Sequence, residues 1–279
     1  MIIPFHKLHG AKNDFLLTAM ADLPQGLDLP AIAIAICNRY TGIGADGWML
    51  VEMAPLGSAI DATIRLLNSD GSEAELSGNG TRCAAAVVAE HWPQRDEFQI
   101  LTGAGLKKLR VVERRGLEKV FEMDMGDIQV VESHAVVQGR EAVILDVGNP
   151  QCAFPVADFD FDWRAVGRAT EGDSRFPNRT NVSFVRRVDA HTIDVRFWER
   201  GAGETNSSGT GSTGAATAAI ALGLVSSPVT VETPAGPLHI RFEHTSPAFR
   251  GVFLTGPAEF VAEGIYHYGK IAENEQFSE

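Results

Sequence analysis

Ser77-Gly78-Asn79-Gly80-Thr81-Arg82-Cys83-Ala84-Ala85-Ala86-Val87-Val88 and, about 131 residues later, Ser208-Gly209-Thr210-Gly211-Ser212-Thr213-Gly214-Ala215-Ala216-Thr217-Ala218 are two copies of one short pattern. Each copy has a hydroxyl, then Gly-X-Gly, then a run of small and apolar residues. Glycines ahead of a helix leave backbone N–H groups free to point at an anion, and the helix dipole adds partial positive charge there. Two such ends facing one cleft would hold a single carboxylate, with Ser77 on one side of it and Ser208 on the other. That geometry suits chemistry at a carbon next to a carboxylate.

Outward from these copies, most segments read as strands. Phe15 to Met20, Trp48 to Met53, Ala62 to Leu67, Phe98 to Leu101, Lys107 to Glu113 and Lys119 to Met125 are short and rich in apolar or β-branched residues. A second block repeats the style over Ala142 to Val147, Asn181 to Arg187, Thr192 to Trp198, Val229 to Thr233, Leu238 to Glu243 and Gly251 to Thr255. Helices are expected over Pro30 to Tyr40, Gly80 to His91, Asp162 to Thr170 and Gly211 to Gly223. A helix apolar on all sides needs to be wrapped, so each half reads as a curved sheet around its own central helix. The fold class is α+β with two pseudo-symmetric lobes and mainly antiparallel sheets. Residues 1–118, joined by about 264–279, form the first lobe and 119–263 the second, with the boundary near Gly116 to Gly126.

Bulk properties narrow the function. With 44% hydrophobic and 22% charged residues, the 279-residue chain is globular. A net charge of −12 argues against a nucleic-acid partner, which would want a basic face. It does not oppose an anionic small substrate, because a local site can be positive on an acidic protein. The N-terminus lacks the pattern of a secretory signal. The longest apolar run, Ala215 to Val225, is too short to span a bilayer, so no membrane partner is expected. Cys37, Cys83 and Cys152 form no disulfide framework and fit a reducing cytoplasm. The histidines show no ligand spacing, and no metal is indicated. Asp158-Phe-Asp160-Phe-Asp162 reads as a solvated loop and helix cap, lacking the Gly and downstream Glu of a calcium loop.

The second copy also fits the dinucleotide fingerprint G-x-G-x-x-G, with Glu232 about where a ribose-binding acid would lie. Ten residues separate it from the strand ending at Trp198, whereas a dinucleotide-binding glycine follows its strand directly. That reading also leaves the first copy unexplained. Neither serine lies in G-x-S-x-G or starts S-x-x-K. The plain alternative is that both are helix N-caps, a role serine fills well.

At these residues the chain resembles the diaminopimelate epimerase family over nearly its whole length. Further segments carrying the resemblance are His9-Gly10-Ala11-Lys12-Asn13-Asp14-Phe15, Gly42-Ile43-Gly44-Ala45-Asp46-Gly47, Asn68-Ser69-Asp70-Gly71-Ser72, Gly148-Asn149-Pro150, Arg179-Thr180-Asn181 and Glu199-Arg200-Gly201-Ala202-Gly203-Glu204-Thr205. The resemblance implies a cofactor-independent amino-acid epimerase, two pseudo-symmetric lobes with the site between them, and a homodimer. It implies that Gly78, Asn79, Gly209 and Thr210 hold the α-carboxylate through backbone N–H groups. It assigns Asn13, Asn68, Asn149, Asn181, Glu199 and Arg200 to the rest of a long, doubly zwitterionic amino acid. In the family two cysteines face each other across the α-carbon, one taking the proton and the other delivering one. By position those two are Ser77 and Ser208, and the histidine partner of the first falls at Gln151, while the carboxylate partner of the second is retained as Glu199.

The departure has a cost. A thiol titrates near 8.5 and a serine hydroxyl about five units higher, which is about 7 kcal/mol more to reach the anion. Gln can orient a neighbour but is no useful base. Ser208, with Glu199, is therefore the better placed catalytic pair. Three functions compete on the sequence: a 1,1-proton transfer at the α-carbon carried by Ser77, Ser208 and Glu199, a related isomerisation or elimination with Glu199 as base, and a binding protein that closes on a diaminopimelate-like ligand without reaction.

Overall fold

The computed structural model describes residues 1–55, 57–246 and 248–269. The first half runs β1 (Ile2–Gly10), β2 (Asn13–Ala19), α1 (Leu29–Cys37), β3 (Gly47–Met53), β4 (Ala62–Asn68), β5 (Glu73–Ala74), α2 (Gly78–His91), β6 (Glu97–Thr102), β7 (Gly105–Arg115) and β8 (Glu118–Val137). The second runs β9 (Arg140–Asp146), β10 (Pro150–Pro155), α3 (Trp163–Glu171), β11 (Asn181–Arg187), β12 (Thr192–Glu199), β13 (Gly203–Thr205), α4 (Gly209–Ala221), β14 (Val229–Glu232), β15 (Leu238–His244) and β16 (Phe249–His267). Element for element the order is the same.

The strand pairing repeats as well. β2–β3 and β4–β6 are parallel, and so are their counterparts β10–β11 and β12–β14, while the remaining pairs are antiparallel. Because β8 also pairs with β16 and β11 with β12, the single 16-stranded sheet closes into two circuits that share β8 and β16. The first circuit surrounds α2 and the second α4. Both helices are buried on every side, α2 from Gly78 through Ala86 and α4 from Gly209 through Ala219. Their alanines, Ala84 to Ala86 and Ala215 to Ala219 apart from Thr217, are small enough for strands to approach all round.

Local chemistry places the helices. Asp28 caps α1 by accepting from the Ala31 N–H, and Pro30 stands in the first turn, where its missing N–H costs nothing. Asp162 caps α3 in the same way through Ala165, as expected of the Asp158–Asp162 loop. No group of three or more His, Cys, Asp or Glu able to hold a metal occurs among the described residues. No described helix is long and apolar enough to cross a membrane.

Three expectations need correction. The central helices begin two residues earlier than read, at Gly78 and Gly209. β1 and β10 were not read as strands at all. Pro4 in β1, and the prolines at both ends of β10, lower the strand signal, yet the side chains of β1 alternate as a strand requires, Ile3 and Phe5 packing with α1 and Leu8 packing on the opposite face with the core around α2. The strands read as Lys119 to Met125 and Gly251 to Thr255 are the beginnings of β8 and β16, which have 20 and 19 residues because each serves both circuits. Gly126, read as part of a boundary, lies inside β8 at φ 80°, where the strand changes partners. Through residue 267, β16 pairs with β1. Residues 270–279, expected to return to the first lobe, lie outside the described residues.

Candidate active site

Ser77 and Ser208 are the N-caps of α2 and α4. Each hydroxyl oxygen accepts the N–H three residues on, from Gly80 and Gly211, both at 3.1 Å. The capping reading is thus correct, and it places the two serines on one cavity of about 450 Å³ between the circuits. The helix ends touch. A Cβ on Gly209 would lie 2.8 Å from the Gly78 Cα, and one on Gly78 would lie 3.0 Å from the Gly209 Cα. Only glycine permits so close an approach, and it brings two sets of unpaired N–H groups to one spot.

Within α2, one turn after Gly78, Arg82 strengthens the positive potential. Its fully buried guanidinium donates to the Gly78 carbonyl, the Asn79 Oδ1 and the Pro257 carbonyl. Burial lowers its pKa to about 10, which still leaves it charged at neutral pH.

On the second side, Ser208 Oγ donates to Glu199 Oε2 at 2.7 Å, and Thr205 Oγ1 donates to Oε1 at 2.7 Å. Burial pushes the Glu199 carboxyl above the usual carboxylate range. The two hydroxyl bonds oppose that shift, and the charge of Asp46 adds to it. Ser77 has no matching partner: among the described residues no group accepts its proton. Gln151, which the resemblance sets where a histidine was expected, donates instead to Asn149 Oδ1 at 2.7 Å, and its own Oε1 is buried with no partner among the described residues.

The expected binding residues converge. Asn13, Asn68, Gly78, Asn149, Asn181, Glu199, Arg200, Gly209 and Thr210 line the cavity with the two serines. The Asn79 side chain is turned inward, its amide donating toward Asn13 Oδ1 and the Ser207 carbonyl, while its backbone nitrogen, the group expected to bind, lies at the meeting of the helix ends, 3.3 Å from where a Cβ on Gly209 would stand. Asn13 is delivered by the two-residue turn Ala11-Lys12, whose φ values of 50° and 60° are rare for side-chain-bearing residues. Arg179, at φ 60°, precedes Asn181 in a similar way. Asn181 accepts the Arg200 N–H at 3.0 Å and donates to the Pro150 carbonyl, fixing the strand end that carries Arg200.

Among the lining residues given no role in the sequence reading are Asp46, Glu75, Arg179 and Thr205. Thr205 and Arg179 lie within segments already singled out. Glu75 stands two residues before Ser77, but its partner Arg200 is 125 residues away. The buried thiols of Cys37, Cys83 and Cys152 are each pushed up to about 12 by desolvation, so none supplies a thiolate.

The family model described as diaminopimelate epimerase matches residues 5–131 and 143–261. The chain belongs to the diaminopimelate epimerase family. It is an epimerase-like isomerase by that membership. A diaminopimelate epimerase of Moorella thermoacetica is 38% identical, the match covering 94% of this chain and 98% of that protein. One of Pelotomaculum thermopropionicum is 34% identical over 95% and 99%. The fold is shared with a hydroxyproline epimerase from Agrobacterium vitis, at a TM-score of 0.74 and 14% identity over 97% and 94% of the two chains.

Proposed function

We propose that this protein moves the α-proton of a diaminopimelate-like amino acid, with its α-carboxylate against the N–H groups of Gly78, Asn79, Gly209 and Thr210. Charge that develops on the carboxylate as the proton leaves is stabilised by the two abutting helix ends and by Arg82 behind one of them. On one face, Ser208 Oγ takes the α-proton while passing its own to Glu199. Burial makes that carboxylate a stronger base than an exposed one. On the other face the Ser77 hydroxyl, its proton uncommitted, donates to the carbanion. Its oxygen then keeps the Gly80 N–H as a hydrogen-bond donor. Asn13, Asn68, Asn149, Asn181 and Arg200 hold the remainder of the substrate.

The observation that carries this reading is the 2.7 Å bond from Ser208 to Glu199 beside the joined helix ends. We further propose residues 1–118 with the end of β16 as one lobe and 119–263 as the other, a homodimeric assembly and a cytoplasmic setting, following the family.

The test is α-hydrogen exchange in D₂O, followed by proton NMR with each stereoisomer of diaminopimelate. Loss of the α-proton signal at a rate that scales with protein concentration is expected. Thermal stabilisation by the ligand with no exchange above blank would leave a binding protein in place of an enzyme.

A further inference from the structure

We infer that Glu75 determines specificity: with Arg200 it selects a substrate whose far end carries an ammonium and a carboxylate on the same carbon. Arg200 Nη2 donates to Glu75 Oε2 at 2.6 Å across the cavity, from the strand end after β12 to the segment between β5 and α2. The other ion pairs at this cavity, Arg39–Asp46, Arg65–Glu73, Arg164–Glu204 and Arg179–Glu171, each stay within one half of the chain. Glu75 and Arg200 therefore face each other where a ligand must pass between the halves.

Both residues are firmly mounted. The Glu75 carbonyl accepts from Ala104, and Gly103 packs so closely that a Cβ there would lie 2.9 Å from the Glu75 Cα. Arg200 is held by its backbone bond to Asn181 and by donation from Nη1 to the Asn178 carbonyl at 3.2 Å. Each also keeps free capacity. The Nε and one N–H on each Nη of Arg200 have no acceptor among the described residues, and Glu75 Oε1 has no donor there. A carboxylate can thus take the open side of the guanidinium while an ammonium beside it takes Glu75 Oε1. An amino acid's two groups, one carbon apart, match that adjacent pair of opposite charges. A lone carboxylate would meet Glu75 as a like charge and gain nothing from it.

This rests on the function proposed above, and binding rather than turnover separates the two. Calorimetric titrations would use meso-diaminopimelate and 2-aminopimelate, which share the reacting end and differ only by the far ammonium. The unaltered protein is expected to prefer diaminopimelate by roughly tenfold or more. Glu75→Gln is expected to erase most of that preference, chiefly by binding 2-aminopimelate better, with thermal unfolding confirming that it folds. Glu75→Ala should give the same loss of preference. Retention of the full preference by both variants would overturn the inference alone. Equal loss of both ligands by a folded Glu75→Gln protein would also overturn it. Failure of diaminopimelate to bind the unaltered protein would overturn the functional reading with it.

Discussion

The joined helix ends make Gly209→Ala the most informative single substitution. The new Cβ would meet the Gly78 Cα at 2.8 Å, the Gly78 carbonyl carbon at 3.2 Å and the Asn79 N at 3.3 Å. All three are backbone atoms of a buried helix, so no side chain can swing away. Ordinary contact begins at 3.4 Å, so the two N-termini must part by about 0.6 Å. Overpacking of this kind costs about 1–3 kcal/mol, or roughly 2–5 °C in the melting temperature of a chain this size. Function should suffer more than stability. The carboxylate site is built from both helix ends, and a displacement approaching 1 Å costs on the order of 100-fold in rate. Differential scanning fluorimetry and the exchange assay measure the two effects on the same sample. A Gly209→Ala protein that melts and exchanges like its parent would refute the claim that close approach of α2 and α4 builds the site.

Glu199→Gln is expected to abolish exchange. Because burial raises the Glu199 carboxyl, the folded state holds that proton more tightly than the unfolded chain does. The stability this contributes is present at low pH and is lost as pH rises through the folded-state value. The variant should therefore gain melting temperature relative to its parent at about pH 8 and not at about pH 4, and a pH-independent difference would contradict the raised carboxyl. Ellman's reagent at about pH 8 should find no reactive thiol in the folded protein and all three after unfolding, since Cys37, Cys83 and Cys152 are buried. Rapid labelling of any one would show its burial to be wrong. The triple change Ser77→Cys, Gln151→His and Ser208→Cys should raise epimerisation of diaminopimelate roughly tenfold or more, by restoring groups that ionise nearer neutrality. An unchanged rate would remove serine ionisation as the barrier.

Much of this was legible in the chain because its strongest signals are local. Gly-X-Gly after a serine, followed by alanines, marks α2 and α4 without any knowledge of their surroundings. The doubled element order follows from reading the strands around each copy. What was hidden depends on partners distant in sequence. β1 carries Pro4, and its strand character is enforced by β2 on one side and β16 on the other. The length of β8 comes from serving two circuits, which no run of residues announces. At the site, the residue types were legible and their directions were not. Asn79 reads like its neighbours in the motif, yet Arg82, Asn13 and Ser207 turn its amide away from the cavity. The Glu75–Arg200 bond spans 125 residues and belongs to the tertiary fold alone.

A crystal structure with diaminopimelate bound would probe the central claim most directly. The account requires one carboxylate of the ligand within about 3 Å of backbone nitrogens from both α2 and α4, with its α-carbon between the hydroxyls of Ser77 and Ser208. A carboxylate held by one helix end alone, or an α-carbon that faces only one of the two serines, would contradict it.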